Sequence, residues 1–276
     1  GAGPHTIAAP LILNDNTTND IAASSTLRIT QQMTAAAGVA ITKTSAGTVA
    51  VKNIRADGLS IAGGTVQVIS GGGAAGTSVL KSLSIASASR LDLNNNDLLI
   101  NYSGASPYTT IRDYLLAGLN TGTGGIVSTT GQASGKIVHA IVDNAHLHKT
   151  SWNGITIDDT TIIAKYTLRG DANLDGTVGF ADLVAVAQNY GQTGQTWDTG
   201  DFNYDGIVNF ADLVAVAQNY GSALPAEPIA GASADFEQDL SAAFASVPEP
   251  SVPAVFALLA CTFNPRTRKR KLQRGN

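Results

Sequence analysis

The chain has 276 residues, enough for two or three packed domains, and its 43% apolar content can fill their cores. Only 14% of residues are charged while Gly numbers 29, a profile that argues against a cytosolic enzyme and for a β-rich extracellular scaffold. A net charge of −4 without a basic, aromatic-interleaved patch argues against nucleic acid as a partner, and the single Cys excludes an internal disulfide. Gly1 in place of Met reads as the start of a fragment or a processed product.

Residues 1–90 carry short apolar triplets separated by Gly, Ser and Ala turns. Leu27-Arg28-Ile29, Val39-Ala40-Ile41, Val49-Ala50-Val51, Leu59-Ser60-Ile61, Val66-Gln67-Val68 and Leu83-Ser84-Ile85 alternate apolar and small or polar residues, the period of half-buried strands. Their recurrence predicts a mainly β fold, a solenoid in which each coil adds one rung. The texture resembles the last coils of a right-handed β-helix, as in autotransporter-like passenger proteins. A β-sandwich is the alternative.

Residues 91–169 read as a β-rich cap. Strands are predicted at Leu91-Asp92-Leu93, Asp97–Tyr102, Lys136–Val142 and Thr161–Leu168, and a helix over Thr110–Leu119 with Thr109 or Thr110 as its N-cap. The order Leu-Asp-Leu, Asn-Asp-Leu, Tyr-Ser-Gly-Ala-Ser-Pro, Ile-Arg-Asp, Gly-Ile-Val-Ser resembles a segment of planctomycete-type surface proteins that precedes calcium repeats. Such a cap would close a solenoid end that otherwise invites edge pairing.

Two 12-residue stretches thirty residues apart repeat one pattern, Asp171 to Asp182 and Asp201 to Asp212. Oxygen side chains stand at positions 1, 3, 5 and 12, with Gly176 or Gly206 at position 6 and Val178 or Val208 at position 8. Ca²⁺ takes six to eight hard oxygen ligands, which a loop of this length supplies from alternating positions. Each loop leads into an identical segment, Phe-Ala-Asp-Leu-Val-Ala-Val-Ala-Gln-Asn-Tyr-Gly, at 180–191 and 210–221. Leu183, Val186, Ala187 and Tyr190 predict the buried helix face, with Leu213, Val216, Ala217 and Tyr220 as their duplicates. Gly191 and Gly221 stand where helix C-caps belong.

Residues 170–221 thus resemble a type I dockerin, a small α module of two EF-hand-like loop–helix repeats lacking the helix that precedes an EF-hand loop. The resemblance implies two calcium ions. It assigns Asp171, Asn173, Asp175, Thr177 (carbonyl) and Asp182 to the first, and Asp201, Asn203, Asp205, Ile207 (carbonyl), Asn209 and Asp212 to the second. Gly179 brings no side chain at position 9, so the first site is expected to be the weaker. The family also implies docking of a cohesin-like protein on the 180–191 and 210–221 helices. Positions 10 and 11, often hydroxylated in that family, are Phe180-Ala181 and Phe210-Ala211 here.

Residues 222–246 are Ala-, Pro- and Ser-rich and read as a linker. In 247–276, Val247-Pro248-Glu249-Pro250 precedes an uncharged run from Ser251 to Phe263, then Arg266, Arg268, Lys269, Arg270, Lys271 and Arg274. Without those six, 11 basic residues face 21 acids, a balance near −10. This segregation resembles a PEP-CTERM sorting signal, which implies an exosortase-type enzyme, transient membrane contact of the tail and a cell-envelope or extracellular location.

Catalysis finds little support. The three glutamates, Glu227, Glu237 and Glu249, lie in the linker and tail, so a two-carboxylate glycosidase would need Asp alone. His139, His146 and His148 near Asp143 lack the spacing of a helical metal pair, and no nucleophile elbow or phosphate loop is present. The chain reads as a non-catalytic surface protein. The alternative is the C-terminal part of a secreted polysaccharide-degrading enzyme carrying a dockerin.

Overall fold

The computed structural model describes residues 3–224, except 123 and 133, all within one compact unit, Gly1–Pro225. The linker beyond residue 224 and the sorting tail lie outside the described residues.

Successive coils lay down strands on three faces. The first contains β1 (Pro4–Ile7), β2 (Leu11–Leu13) and β3 (Thr17–Asp20), and the second β4 (Thr26–Ile29), β5 (Met33–Ala35) and β6 (Ala40–Thr44). The third contains β7 (Thr48–Val51) and β8 (Gly58–Ile61), with isolated parallel bridges from Arg55 to Thr34 and Val79 holding the middle face. The fourth contains β9 (Thr65–Val68), the single turn α1 (Gly73–Gly76), β10 (Ser78–Leu80) and β11 (Ser82–Ile85). Then come β12 (Arg90–Asp92), β13 (Leu98–Asn101), α2 (Tyr108–Thr121) and β14 (Gly125–Val127).

One face is a six-stranded sheet, β1-β4-β7-β9-β12-β14, parallel throughout, and a second is the parallel sheet β11-β8-β6-β3. The chain is therefore mainly β, and its parallel rungs form a solenoid rather than a sandwich of antiparallel strands. Register explains the recurring triplets. Leu27, Val49, Val66, Leu91 and Ile126 stack in one row, and Ile29, Val51 and Val68 in the next. With Ile41, Leu59, Ile61, Leu80, Leu98 and Ile100 they fill the interior. Lys43 sits in this interior fully buried, opposite Ile61. Its ammonium donates to the corner carbonyls of Thr44, Ser45 and Gly63, which satisfies the group where it cannot reach water. Burial lowers its pKa, against an opposing pull from Asp20.

Beyond β13 the pattern changes. Next come α3 (Thr129–Gln132), β15 (Ile137–Asp143), α4 (Asn144–Leu147), the hairpin of β16 (Ser151–Trp152) with β17 (Ile155–Thr156), and β18 (Thr161–Leu168). β18 pairs antiparallel with β13, and β15 antiparallel with β18, so the order β10-β13-β18-β15 ends parallel growth. α2 covers the end with Ile111 and Leu115 buried and packs on β14. It begins at Tyr108 behind Pro107, not at Thr109 or Thr110, and Pro107 offers no side-chain cap; the fixed φ of Pro suits a helix entry.

Asp92 and Asp97 anchor this corner. Asp92, fully buried, accepts from Gln67 Nε2 (3.0 Å), Asn94 N (3.1 Å), and both the N–H and hydroxyl of Thr129. Asp97 accepts from Trp152 Nε1 (2.8 Å), Asn153 Nδ2 (3.1 Å) and Tyr166 N (2.9 Å). One close approach is testable. A Cβ on Gly118 of α2 would stand 1.8 Å from the Ile126 carbonyl oxygen of β14. Gly118→Ala, ordinarily stabilising inside a helix, is expected here to lower stability by about 1–3 kcal/mol, measured by urea melting.

Candidate metal centre

β18 runs directly into the first loop. The two loops lead to α5 (Phe180–Asn189) and α6 (Phe210–Asn219), which pack together. Gly176 and Gly206 sit at φ +90° and +82°, where a side chain would be strained. Leu174 and Tyr204, at position 4 of each loop, also adopt left-handed φ, 61° and 62°.

In both loops the carboxylates at positions 1 and 12 are buried: Asp171, Asp182, Asp201 and Asp212. Position 12 closes each loop on itself. Asp182 accepts from Ala172 N and Gly179 N, both at 2.8 Å, and Asp212 from Phe202 N at 2.8 Å and Asn209 N at 3.0 Å. Asp171 and Asp201 each accept at 2.9 Å from the N–H of the loop glycine. At position 3, Asn173 and Asn203 each accept from the amide of the Asp two residues on, at 2.8 Å. The position-5 carboxylates turn on the position-7 amides, at 2.8 Å for Thr177 N to Asp175 and for Ile207 N to Asp205. Asn209 also caps α6 through Ala211 N at 2.8 Å, whereas Gly179 gives α5 no side-chain cap.

The carbonyls at positions 6 and 8 are spoken for. Gly176 and Val178 accept from Leu224 N and Gly221 N, and Gly206 and Val208 from Gln195 N and Gly191 N. Among the described residues, those of Thr177 and Ile207 between them accept no backbone hydrogen bond, which leaves the position-7 oxygens available.

The position-1 carboxylates are costly in their charged form. Burial, above all, raises the pKa of Asp171 and Asp201 to about 6; neighbouring carboxylates push the same way, Asp182 and Asp175 on the first, Asp212 and Asp205 on the second. Oδ1 of Asp201 is buried without a hydrogen-bond partner, costly for a lone pair shut away from water. A carboxylate oxygen left open in a loop whose other carboxylate oxygens all accept hydrogen bonds fits a hard cation. Among the described residues no three His, Cys, Asp or Glu side chains cluster closely enough to hold an ion by themselves. Asparagine and carbonyl oxygens would have to complete each set, as a calcium loop requires.

The loops are tied crosswise. Val178 N donates to Ser222 O and Val208 N to Gln192 O, so the position-8 backbones pair with the exits of the opposite helices. Asn189 donates to the Thr199 carbonyl (3.0 Å) and Asn219 to that of Arg169 (2.8 Å), each two residues ahead of the opposite loop. Sequence spacing alone did not single out these asparagines; their signal is the offset of seven from Asp182 and Asp212, which places them on one helix face. The buried face of α5 is Asp182 and Val186, and that of α6 Asp212, Ala215, Val216 and Asn219. Ala187 and Ala217 are exposed, and Tyr190 and Tyr220 are about half exposed, against the predicted face, because the position-12 carboxylate must point into its loop and sets the rotation.

Trp197, in a 3₁₀ turn (Trp197–Thr199), is fully buried and donates to the Asp171 carbonyl at 2.6 Å. A lone Trp in a Gly-, Thr- and Gln-rich connection was its only trace in the sequence. His139, His146 and His148 do not converge: His139 is buried against the Asn96 carbonyl, His146 faces Asp198 and His148 faces Asp159. Among the described residues no helix is long and apolar enough to cross a membrane. No protein-family model, curated protein or solved structure matches this chain.

Proposed function

We propose that the chain is a non-catalytic extracellular or cell-surface protein in which a dockerin-like loop pair binds two calcium ions and presents its helices to a docking partner. One observation carries the calcium assignment. Two loops repeat the same buried carboxylate pair at positions 1 and 12, and Asp201 of the second keeps a buried oxygen without a hydrogen-bond partner. The first ion would be held by Asp171, Asn173, Asp175, Asp182 and the Thr177 carbonyl. The second would take Asp201, Asn203, Asp205, Asn209, Asp212 and the Ile207 carbonyl. Calcium bound only by the folded chain adds RT ln(1 + [Ca]/Kd) to stability, so the loops are expected to be firm outside the cell and loose in a calcium-poor cytosol.

Docking draws support from Phe180 and Phe210, 71% and 68% exposed, and from the half-exposed Tyr190 and Tyr220. Backbone bonds tie Gly221, next to Tyr220, to Val178 of the first loop, and Gly191, next to Tyr190, to Val208 of the second. A cohesin-like protein is the proposed partner, and an exosortase-type enzyme would act on the tail. A polysaccharide-degrading role draws less support, since Asp92, Asp97 and Asp143 are each engaged by several structural hydrogen bonds. Terbium luminescence under tryptophan excitation tests the calcium assignment: Trp197 should sensitise bound Tb³⁺, and calcium should quench the signal. No sensitised emission from the whole chain contradicts it.

The raised pKa values give a pH signature of opposite sign with and without the ion. In EGTA the folded state binds protons more tightly at Asp171 and Asp201 than the unfolded chain, so stability rises as pH falls from 7 toward about 4. Calcium needs the same carboxylates ionised, so its stabilising increment shrinks below about pH 6. Thermal midpoints at pH 7.5 and 5.5 in both conditions read the crossing.

A further inference from the structure

The helices are identical, yet the loops differ at four positions, and at two of these the second loop carries an aromatic ring. The first loop has Ala172 and Leu174 at positions 2 and 4 where the second has Phe202 and Tyr204. The donor set does not need aromatics there, since the first loop lacks them. Phe202 and Tyr204 instead pack on Trp197, with ring centroids 5.0 and 5.4 Å away, and all three are buried. The Tyr204 hydroxyl accepts the Ile141 N–H at 2.7 Å, and the Trp197 turn lies against β15.

β15 is the last strand of its sheet, so its outward N–H and C=O groups have no strand partner. Its sequence, Ile137-Val138-His139-Ala140-Ile141-Val142-Asp143, is rich in β-branched residues, has one acid and no Pro. Such a segment pairs with copies of itself once bared. The first loop is fastened to the same sheet, for Thr167 of β18 donates to Asp171.

We propose that the second loop is a calcium-dependent cover over the β15 edge, and that a second copy of this chain pairs with β15 when the cover lifts. The proposal rests on reading the loops as calcium sites. Without a cation, Asp201, Asp205 and Asp212 repel one another across one loop, which loosens the segment bearing Phe202 and Tyr204 and frees the Ile141 N–H. Antiparallel pairing of β15 with its symmetry mate satisfies both bared edges at once.

Hydrogen exchange and light scattering on the whole chain, in millimolar calcium and in EGTA, test this. In EGTA, at concentrations too low for pairing, Ile141 is expected to exchange about tenfold faster than in calcium; at higher concentration dimers should form and slow that exchange again. Tyr204→Phe keeps the ring and every proposed donor; it should bind calcium like the parent by calorimetry yet exchange Ile141 roughly five- to tenfold faster in calcium. Calcium binding with Ile141 exchange indifferent to calcium overturns the cover and leaves the calcium sites standing, whereas absence of calcium binding removes the sites themselves. Faster exchange in a chain that stays monomeric overturns the pairing. If Tyr204→Phe does not fold, the parent in calcium against EGTA decides alone.

Discussion

A chain carrying Asp171→Ala together with Asp201→Ala is expected to melt at the same temperature in calcium and in EGTA, and to lose any calcium-induced gain in helical circular dichroism. Both residues open their loops and lie buried beside two further carboxylates. Removing them deletes the donor that each loop folds around. In the parent, calcium at a hundredfold excess over Kd adds about 2.7 kcal/mol per site, so two sites shift the midpoint by many degrees. In EGTA the same double variant should change far less. It loses the bonds to Gly176 N and Gly206 N but also the cost of burying two carboxylates beside like charges, which raises both pKa values to about 6. A variant that keeps the calcium shift contradicts the assignment.

Asp92→Ala should produce the converse, a large loss of stability with the calcium shift intact. The Asp92 carboxylate accepts from the Thr129 N–H, Gln67 Nε2 and Asn94 N, tying β9, the corner after β12 and the start of α3. Truncation leaves the buried Asn94 N–H unmet, with the part-buried donors of Gln67 and Thr129, at up to about 1–3 kcal/mol apiece, a loss on the order of 3 kcal/mol in urea melting. Burial raises the Asp92 pKa, but the bonds from Thr129, Gln67 and Asn94 outweigh it and the net shift is downward. Its contribution is therefore present above the ordinary carboxylate pKa and is lost as pH falls below it. Asp92→Asn should retain part of the stability.

The solenoid was legible where strands alternate. Leu59-Ser60-Ile61 and Val66-Gln67-Val68 put apolar residues inward and polar ones outward, and those triplets are strands β8 and β9. Leu11-Ile12-Leu13 has no alternation and Met33-Thr34-Ala35 ends on a small, half-buried Ala, so β2 and β5 gave a weaker signal; their places are set by parallel pairing with each other. The burial of Lys43 was not legible in sequence, since one of its carbonyl partners, Gly63, lies a coil away.

At the candidate site, both glycine turns and the carboxylate positions were legible because loop position and chemistry repeat together. The rotation of α5 and α6 was not. An apolar count ranks Ala187 and Tyr190 with Val186, but the buried Asp182 carboxylate, with its bonds to Ala172 N and Gly179 N, outweighs a methyl in deciding which face turns inward. The contact of Tyr204 with Ile141, 63 residues apart, had no local trace in sequence.

Isothermal titration of the whole chain with calcium, after exhaustive chelation, tests the central claim most directly. Two ions should bind per chain, the site bearing Asn209 more tightly than the one bearing Gly179, with protons released as binding proceeds at pH 6. Absence of heat at millimolar calcium, or binding unaltered by Asp171→Ala with Asp201→Ala, would contradict it.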